Sequence, residues 1–174
     1  GASAQQYLPG VSQVSKEISK DEMQSLKQRF VEATQDVNDI GADWLELHCA
    51  HGYLLSEFIS PLTNQRTDEY GGSLEGRLRY PIEVFKAMRA VWPQDKPMSV
   101  RISATDWVEG GITPADAVEI AKAFKAAGAD LVDCSAGQVS KEEKPVYGRM
   151  RQTPSADRGR QEAALAPTAP APTT

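Results

Sequence analysis

Several residue types are scarce in this chain, and each scarcity excludes a class of protein. Only two of the 174 residues are cysteines, too few for a disulfide framework, so a reducing cytoplasm is the expected compartment. The 19 basic and 24 acidic side chains leave a net charge of −5, which gives no positive surface for nucleic acid. Apolar runs are only a few residues long, far below the roughly 20 that span a bilayer. We therefore expect neither a nucleic-acid partner nor membrane insertion.

Length and composition set the domain organisation. A chain of 174 residues with 40% hydrophobic side chains is long enough for one domain with a core. A complete (β/α)8 barrel needs about 250 residues, so this chain is too short to form one. We expect an arm or loop over 1–19, a folded region over 20–160, and a disordered tail rich in Ala, Pro and Thr over 161–174.

Helix and strand patterns alternate through the folded region. Ser19 and Glu22 have the spacing of a capping box and predict a helix that continues to Gly41. The remaining patterns predict strands over 44–48, 98–103 and 129–134, and helices over 74–91 and from Pro114 to Gly128. Strands that alternate with helices of this length are parallel and joined by helical crossovers, so the predicted fold class is α/β.

The two histidines of the chain, His48 and His51, follow the first predicted strand directly. Ligand sites of parallel α/β folds lie at the carboxyl ends of the strands, so this position favours a functional site. Two adjacent imidazoles can hold and polarise one carbonyl or nitro oxygen, and Tyr53 can deliver a proton. Two alternatives stay open: structural histidines at a strand end, or part of a zinc site, which would need further protein ligands.

Arg101 lies inside the second predicted strand, between apolar neighbours. A guanidinium in this position needs an anionic or strongly accepting partner, because burying an unpaired charge is prohibitive. The partner is either a cofactor or substrate anion, or a carboxylate such as Glu46 or Asp133 in a neighbouring strand. Spacing alone does not distinguish between these two interpretations.

The segment 60–73 is dense in hydrogen-bonding side chains and ends in Gly71 and Gly72. The spacing of its glycines matches neither a phosphate-binding P-loop nor a dinucleotide fingerprint. We therefore expect a structural loop that is held by bonds from side chains to the backbone.

Four segments together resemble one known family: 46–54 (ELHCAHGYL), 58–73 (FISPLTNQRTDEYGGS), 99–103 (SVRIS) and 133–137 (DCSAG). They are similar to the old yellow enzyme family of FMN-dependent NAD(P)H oxidoreductases. The resemblance covers about residues 21–160 and corresponds to the middle of the family's (β/α)8 TIM barrel. The implied fold is therefore a partial barrel of about strands four to six with their helices.

The resemblance implies FMN as cofactor, NAD(P)H as reductant and hydride transfer to an α,β-unsaturated carbonyl or a similar small-molecule acceptor. It implies that His48 and His51 bind the acceptor oxygen, as in the bacterial branch of the family, whereas many relatives have Asn at the second position. Tyr53 matches the residue that protonates the acceptor, and Arg101 matches the arginine near N1 and the C2 oxygen of the flavin. No metal ligand is implied.

The family's first three and last two strands, with a phosphate-binding segment, have no counterpart in this sequence. We therefore expect a truncated product, a misread reading frame or a piece of a larger chain. Open sheet edges aggregate unless they are covered, so we also expect a homo-oligomer or a complementing chain. The alternative function is a non-catalytic half-barrel that needs a partner to fold.

Overall fold

The computed structural model describes residues 1–8, 10–146, 148, 152–163 and 166–168. The helices are α1 (Lys20–Asp39), α2 (Leu54–Ile59), α3 (Leu74–Val91), α4 (Pro114–Ala126) and α5 (Thr153–Ala163). The strands are β1 (Leu45–Cys49), β2 (Met98–Ser103), β3 (Leu131–Ser135) and β4 (Ala166–Thr168). None of the helices in the described ranges is long and apolar enough to cross a membrane.

Capping groups in the sequence account for where the main helices begin. The Ser19 side chain accepts from the Glu22 backbone N–H, and the Glu22 carboxylate accepts from the Ser19 N–H at 2.8 Å, which is the predicted capping box. Thr113 forms an equivalent box with Asp116, and Pro114 occupies the first position of α4. The starts of α1 and α4 are therefore confirmed.

The four strands form one parallel sheet in the order β1-β2-β3-β4. In this register His48 lies beside Arg101, and Arg101 lies beside Asp133. Because side chains of neighbouring parallel strands share a face at each level, these three residues point to the same side of the sheet. We call this side the inner face; it carries Glu46, His48, Ser99, Arg101, Ser103, Asp133 and Ser135.

The opposite side of the sheet packs against the helices and forms the hydrophobic core. Leu47 and Cys49 of β1 are buried there, whereas Glu46 and His48, which alternate with them along the strand, are exposed. Large aromatic side chains fill the helix layer, and the rings of Phe85 and Phe124 meet edge to face at 5.5 Å. The sheet thus has one apolar face and one polar face, and the polar face is free for a site.

The loop over 60–73 is held by bonds from side chains to the backbone, as the sequence predicts, and Asn64 makes three of them. The Asn64 Nδ2 donates to the carbonyls of Phe58 and Tyr70, each at 2.8 Å, and its Oδ1 accepts from the Arg66 N–H at 3.1 Å. The Arg66 guanidinium in turn bonds twice to Asp68, at 3.0 and 2.7 Å. These bonds hold the loop to itself and to the end of α2, which confirms a structural loop.

Two parts of the structure differ from the expectations for the sequence. The six-residue helix α2 is unpredicted, because its N-cap Tyr53 makes no side-chain capping bond. The tail was expected to be disordered from residue 161, yet α5 continues to Ala163 and residues 166–168 pair with β3 as β4. A disorder prediction from side-chain composition does not count the backbone hydrogen bonds that a strand edge offers.

The rest of the predicted tail, 164–165 and 169–174, lies outside the described residues, as do Tyr147 and residues 149–151. The predicted arm has little regular structure, with one antiparallel bridge between Gln6 and Val14. Ala2 is nevertheless fully buried. The boundaries of the three-part division stay predictions.

Candidate active site

The turn after β1 determines where the histidines lie. His51 and Gly52 are consecutive residues in the left-handed region, with φ of 62° and 72°. The His51 N–H donates to Ser103 Oγ at 3.0 Å, and the Gly52 N–H donates to Ser56 Oγ at 3.2 Å. A Cβ at position 52 would lie 2.8 Å from the Gln138 carbonyl oxygen, so only glycine fits without a shift. This tight turn brings His51 and Tyr53 back beside His48.

Three aromatic rings form a cluster at the carboxyl end of β1. The centroids of His48 and His51 are 5.3 Å apart, and those of His48 and Tyr53 are 5.4 Å apart. Both pairs meet edge to face, at interplanar angles of 61° and 62°. Tyr53 is 64% exposed, so the cluster is open to a ligand. The structure thus brings together the three residues that the sequence groups at this strand end.

Both histidines of this cluster are held in the neutral form at neutral pH. Burial lowers the pKa of His48, and the positive charge of Arg101 lowers it further. Burial, Arg101 and then His48 lower the pKa of His51 in the same direction. A neutral imidazole has one N–H donor and one nitrogen acceptor, so each ring can donate one hydrogen bond to a ligand oxygen.

Arg101 forms the ion pair that the sequence left as one of two interpretations. Its Nη1 lies 2.7 Å from Asp133 Oδ2, whereas Glu46 accepts from Ser99 Oγ at 2.8 Å instead. The pair does not satisfy every atom: Arg101 Nε and Asp133 Oδ1 are buried and have no hydrogen-bond partner among the described residues. A buried donor without an acceptor fits a ligand atom that accepts, so the ion pair and a ligand contact are compatible.

Ser135 is a site residue that sequence reasoning did not single out. Its Oγ lies 2.6 Å from His51 Nε2 and 3.3 Å from Arg101 Nη2, so it joins the ring cluster to the ion pair. In the sequence, Ser135 is marked only by its place two residues after Asp133, in the segment 133–137 of the family resemblance. Recognising its contact with His51 requires the register that pairs Ser103 with Ser135.

A cavity of about 510 Å³ opens beside the ring cluster. It is lined by His51, Gly52 and Tyr53 together with residues of the arm, among them Gln6 and Tyr7. The arm therefore takes part in the site, which its composition did not predict. The volume is in the range of small-molecule sites.

The zinc alternative lacks a third ligand. Within the described ranges, no group of three or more His, Cys, Asp or Glu residues lies close enough together to hold a metal ion. Cys49 follows His48 in the chain, but it is buried on the opposite face of the sheet, and burial raises the pKa of its thiol, which disfavours the thiolate that a metal binds. The histidine pair supplies two ligands, whereas catalytic zinc usually has three protein ligands.

Comparison with known proteins gives a consistent family match. A profile described as the NADH:flavin oxidoreductase / NADH oxidase family matches residues 1–163, including the arm. The NADPH dehydrogenase of Bacillus subtilis is 45% identical over 121 residues, which are 70% of this chain and 35% of that protein. The NADPH dehydrogenase of a Geobacillus species is 44% identical over 151 residues, 87% of this chain and 44% of that protein. The chain thus spans less than half the length of these relatives.

Solved structures share the fold. A 2-naphthoyl-CoA reductase in complex with 2-naphthoyl-CoA has a TM-score of 0.82 and 30% identity, covering 90% of this chain and 24% of that one. The old yellow enzyme homologue of Zymomonas mobilis has a TM-score of 0.74 and 23% identity, covering 94% of this chain and 45% of that one. These likenesses confirm the predicted fold class, a partial (β/α)8 TIM barrel.

Proposed function

Because the chain belongs to the NADH:flavin oxidoreductase / NADH oxidase family, which includes the old yellow enzymes, we propose that it carries the acceptor-binding part of an FMN-dependent NAD(P)H oxidoreductase of the ene-reductase type. The observation that carries this proposal is the cluster of His48, His51 and Tyr53 beside Arg101, whose buried Nε has no partner among the described residues. FMN, when bound, supplies the hydride that it takes from NAD(P)H. The acceptor is an α,β-unsaturated carbonyl or a similar small molecule.

The two imidazoles bind the acceptor oxygen in this proposal. Each neutral ring donates one N–H, and two donors fixed at one place stabilise negative charge that develops on the oxygen. Their ring centroids are 5.3 Å apart, which lets both reach one atom placed between them. Withdrawal of electrons toward that oxygen makes the distant alkene carbon a better hydride acceptor.

Tyr53 is the proton donor in this proposal. Its ring contacts His48, the side chain is largely exposed, and it lines the cavity beside the cluster. A phenol in this place can protonate the alkene carbon next to the carbonyl while the cavity holds the rest of the acceptor. Residues of the arm also line that cavity.

Arg101 is the residue that fits FMN. Its unpartnered Nε is a buried donor, and the electron-rich edge of a flavin near N1 and the C2 oxygen offers acceptors. Asp133 holds the Nη1 end of the guanidinium at 2.7 Å, so Nε is fixed in position on the inner face. The positive charge would stabilise the reduced cofactor.

The first test is an FMN titration of the full chain, followed by flavin fluorescence, with and without a second polypeptide that supplies the missing strands. We expect binding by the wild type and at least about tenfold weaker binding by Arg101→Gln, because a bond from a charged donor is lost. Arg79→Gln is the control, since Arg79 lies on α3 and donates to a loop carbonyl. No binding in either format would refute the flavin site, and equal binding by Arg101→Gln would refute the role of Arg101.

The second test is NADPH oxidation with a cyclic enone as acceptor, in the format that binds FMN. We expect Tyr53→Phe to lower the turnover rate by about 100-fold or more, the usual contribution of a general acid. Tyr70→Phe is the matched control, because Tyr70 is buried in the structural loop and its hydroxyl contacts Glu83. An unchanged rate in Tyr53→Phe would exclude Tyr53 as the proton donor.

A second candidate function is a non-catalytic half-barrel that folds or assembles only with a partner. The observation that favours it is the open sheet: within the described residues, β1 pairs with β2 alone. It predicts self-association or binding to a complementing chain without flavin. Sedimentation analysis that finds a monomer which retains FMN and oxidises NADPH would exclude it. The cytoplasmic location stays a prediction.

A further inference from the structure

The hydroxyl of Ser135 has two hydrogen-bond partners in the structure. Its Oγ lies 2.6 Å from His51 Nε2 and 3.3 Å from Arg101 Nη2. Ser135 is 5% exposed, and it has no further hydrogen bond within the described part of the chain. Within the described residues, the partners of this hydroxyl are therefore His51 and Arg101.

The chemistry of these two partners determines the direction of the short bond. A guanidinium nitrogen only donates, so Arg101 occupies a lone pair of Oγ and cannot accept the hydroxyl hydrogen. The carboxylate oxygen Asp133 Oδ1 has no hydrogen-bond partner, so it does not accept this hydrogen either. If His51 donated through Nε2, the hydroxyl hydrogen would be buried without an acceptor, which is costly.

We propose that Ser135 is a positioning residue that fixes the tautomer of His51: its hydroxyl donates to Nε2, and the ring hydrogen is on Nδ1. The neutral state of the ring, which burial and Arg101 favour by lowering its pKa, leaves Nε2 free to accept. Nδ1 has no hydrogen-bond partner among the described residues. The Nδ1–H is therefore the donor that His51 offers to a ligand.

The consequence for catalysis rests on the proposed function. His51 would donate to the acceptor oxygen through Nδ1 in a fixed orientation, because its backbone N–H is held by Ser103 and its ring by Ser135. Ser135 also joins the acceptor side of the site to Arg101. A change at Arg101 would then be felt at His51 through one hydroxyl group.

The test is the tautomer of His51 in the full 174-residue chain, labelled with nitrogen-15 and measured without FMN or acceptor. Long-range proton–nitrogen correlations of the imidazole ring distinguish the protonated nitrogen from the other one, and His48→Gln assigns the two histidines. We expect the Nδ1–H form in the wild type. Ser135→Ala should lower the ratio of the Nδ1–H to the Nε2–H form by about fivefold or more, the worth of one net hydrogen bond. Ser135→Thr keeps the hydroxyl and should restore the wild-type form.

Ser103→Ala is the matched control. Ser103 is the register partner of Ser135, is 6% exposed, and accepts from the His51 backbone N–H rather than contacting the ring. It should leave the tautomer unchanged. An Nε2–H form in the wild type would overturn the proposal, and so would equal changes in Ser135→Ala and Ser103→Ala.

If Ser135→Ala does not fold, the tautomer of His51 in the wild type and in Ser135→Thr still tests the proposal. The measurement needs no cofactor, so it is independent of the proposed function. An Nδ1–H form in a chain that fails to bind FMN both with and without the second polypeptide would support the tautomer and refute the flavin site. An Nε2–H form in a chain that binds FMN would refute the tautomer alone.

Discussion

Asn64→Ala removes the side chain that holds the loop over 60–73 against the end of α2. Asn64 is buried and makes three hydrogen bonds, all to backbone groups: the carbonyls of Phe58 and Tyr70 and the N–H of Arg66. Alanine replaces none of these bonds. Two carbonyls and one N–H would lose their partner in the interior of the protein.

The expected loss follows from the number and the burial of these bonds. Each contributes about 1 kcal/mol net, and a buried group left without a partner costs about 1–3 kcal/mol. We therefore expect the free energy of unfolding to fall by about 3 kcal/mol, against a total of about 5–15 kcal/mol for a typical domain. Without the bond from Asn64 to the Phe58 carbonyl, the end of α2, the helix that begins after Tyr53, should also shift.

Urea denaturation followed by tryptophan fluorescence measures this change, provided that the slope with urea is the same in each variant. Asn38→Ala is the matched control: its Oδ1 accepts one bond from Lys96 Nζ at 3.0 Å near the surface end of α1. It should change the free energy of unfolding by less than about 0.5 kcal/mol. A loss below about 1 kcal/mol in Asn64→Ala, or equal losses in the two variants, would refute the reasoning.

Asn64→Asp tests the orientation of the amide in the same assay. A carboxylate would direct an oxygen at the carbonyls of Phe58 and Tyr70, so this variant should be at least as unstable as Asn64→Ala. If Asn64→Asp is clearly more stable than Asn64→Ala, the amide oxygen of Asn64, rather than its nitrogen, faces these carbonyls.

Two further predictions concern the turn and the histidines. Gly52→Ala should cost about 3 kcal/mol and Gly110→Ala only about 1 kcal/mol. Both glycines have positive φ, but only at position 52 would a Cβ meet a backbone atom, at 2.8 Å; equal losses on urea denaturation would contradict this. Because the pKa values of His48 and His51 are lowered from 6.5, the unfolded chain binds more protons than the folded one. The stabilisation from these neutral rings is present above pH 6.5 and is lost as the pH falls through the lowered pKa values. As the pH is lowered, the urea midpoint of a His48→Gln, His51→Gln double variant should therefore decrease less than that of the wild type. Parallel curves of urea midpoint against pH would contradict this prediction.

Features encoded locally were predictable from the sequence. The starts of α1 and α4 follow from capping groups within four residues, Ser19 with Glu22 and Thr113 with Pro114. His48, His51 and Tyr53 fall within six residues at the carboxyl end of one strand, so the ring cluster needed only the end of that strand to be placed correctly. The helix α2 has no such local signal, and β4 depends on the distant edge of β3.

Features that depend on register were not predictable. Ser135 and His51 are 84 residues apart, and they meet only because the sheet pairs Ser103 with Ser135 and the turn after β1 reverses the chain. The partner of Arg101 could not be predicted for the same reason, because it also depends on the register of the sheet. Glu46 and Asp133 both lie on the inner face, but the register places Asp133 directly beside Arg101.

The left-handed backbone at His51 restricts which residues can replace it in protein engineering. A φ of 62° disfavours β-branched and bulky side chains, and among residues other than glycine it favours Asn, Asp and His. A library at position 51 should therefore keep its folded members among Asn, Asp, His and Gly, and changes to the neighbouring cavity are better sought at Gln6 and Tyr7, which line it without a positive φ.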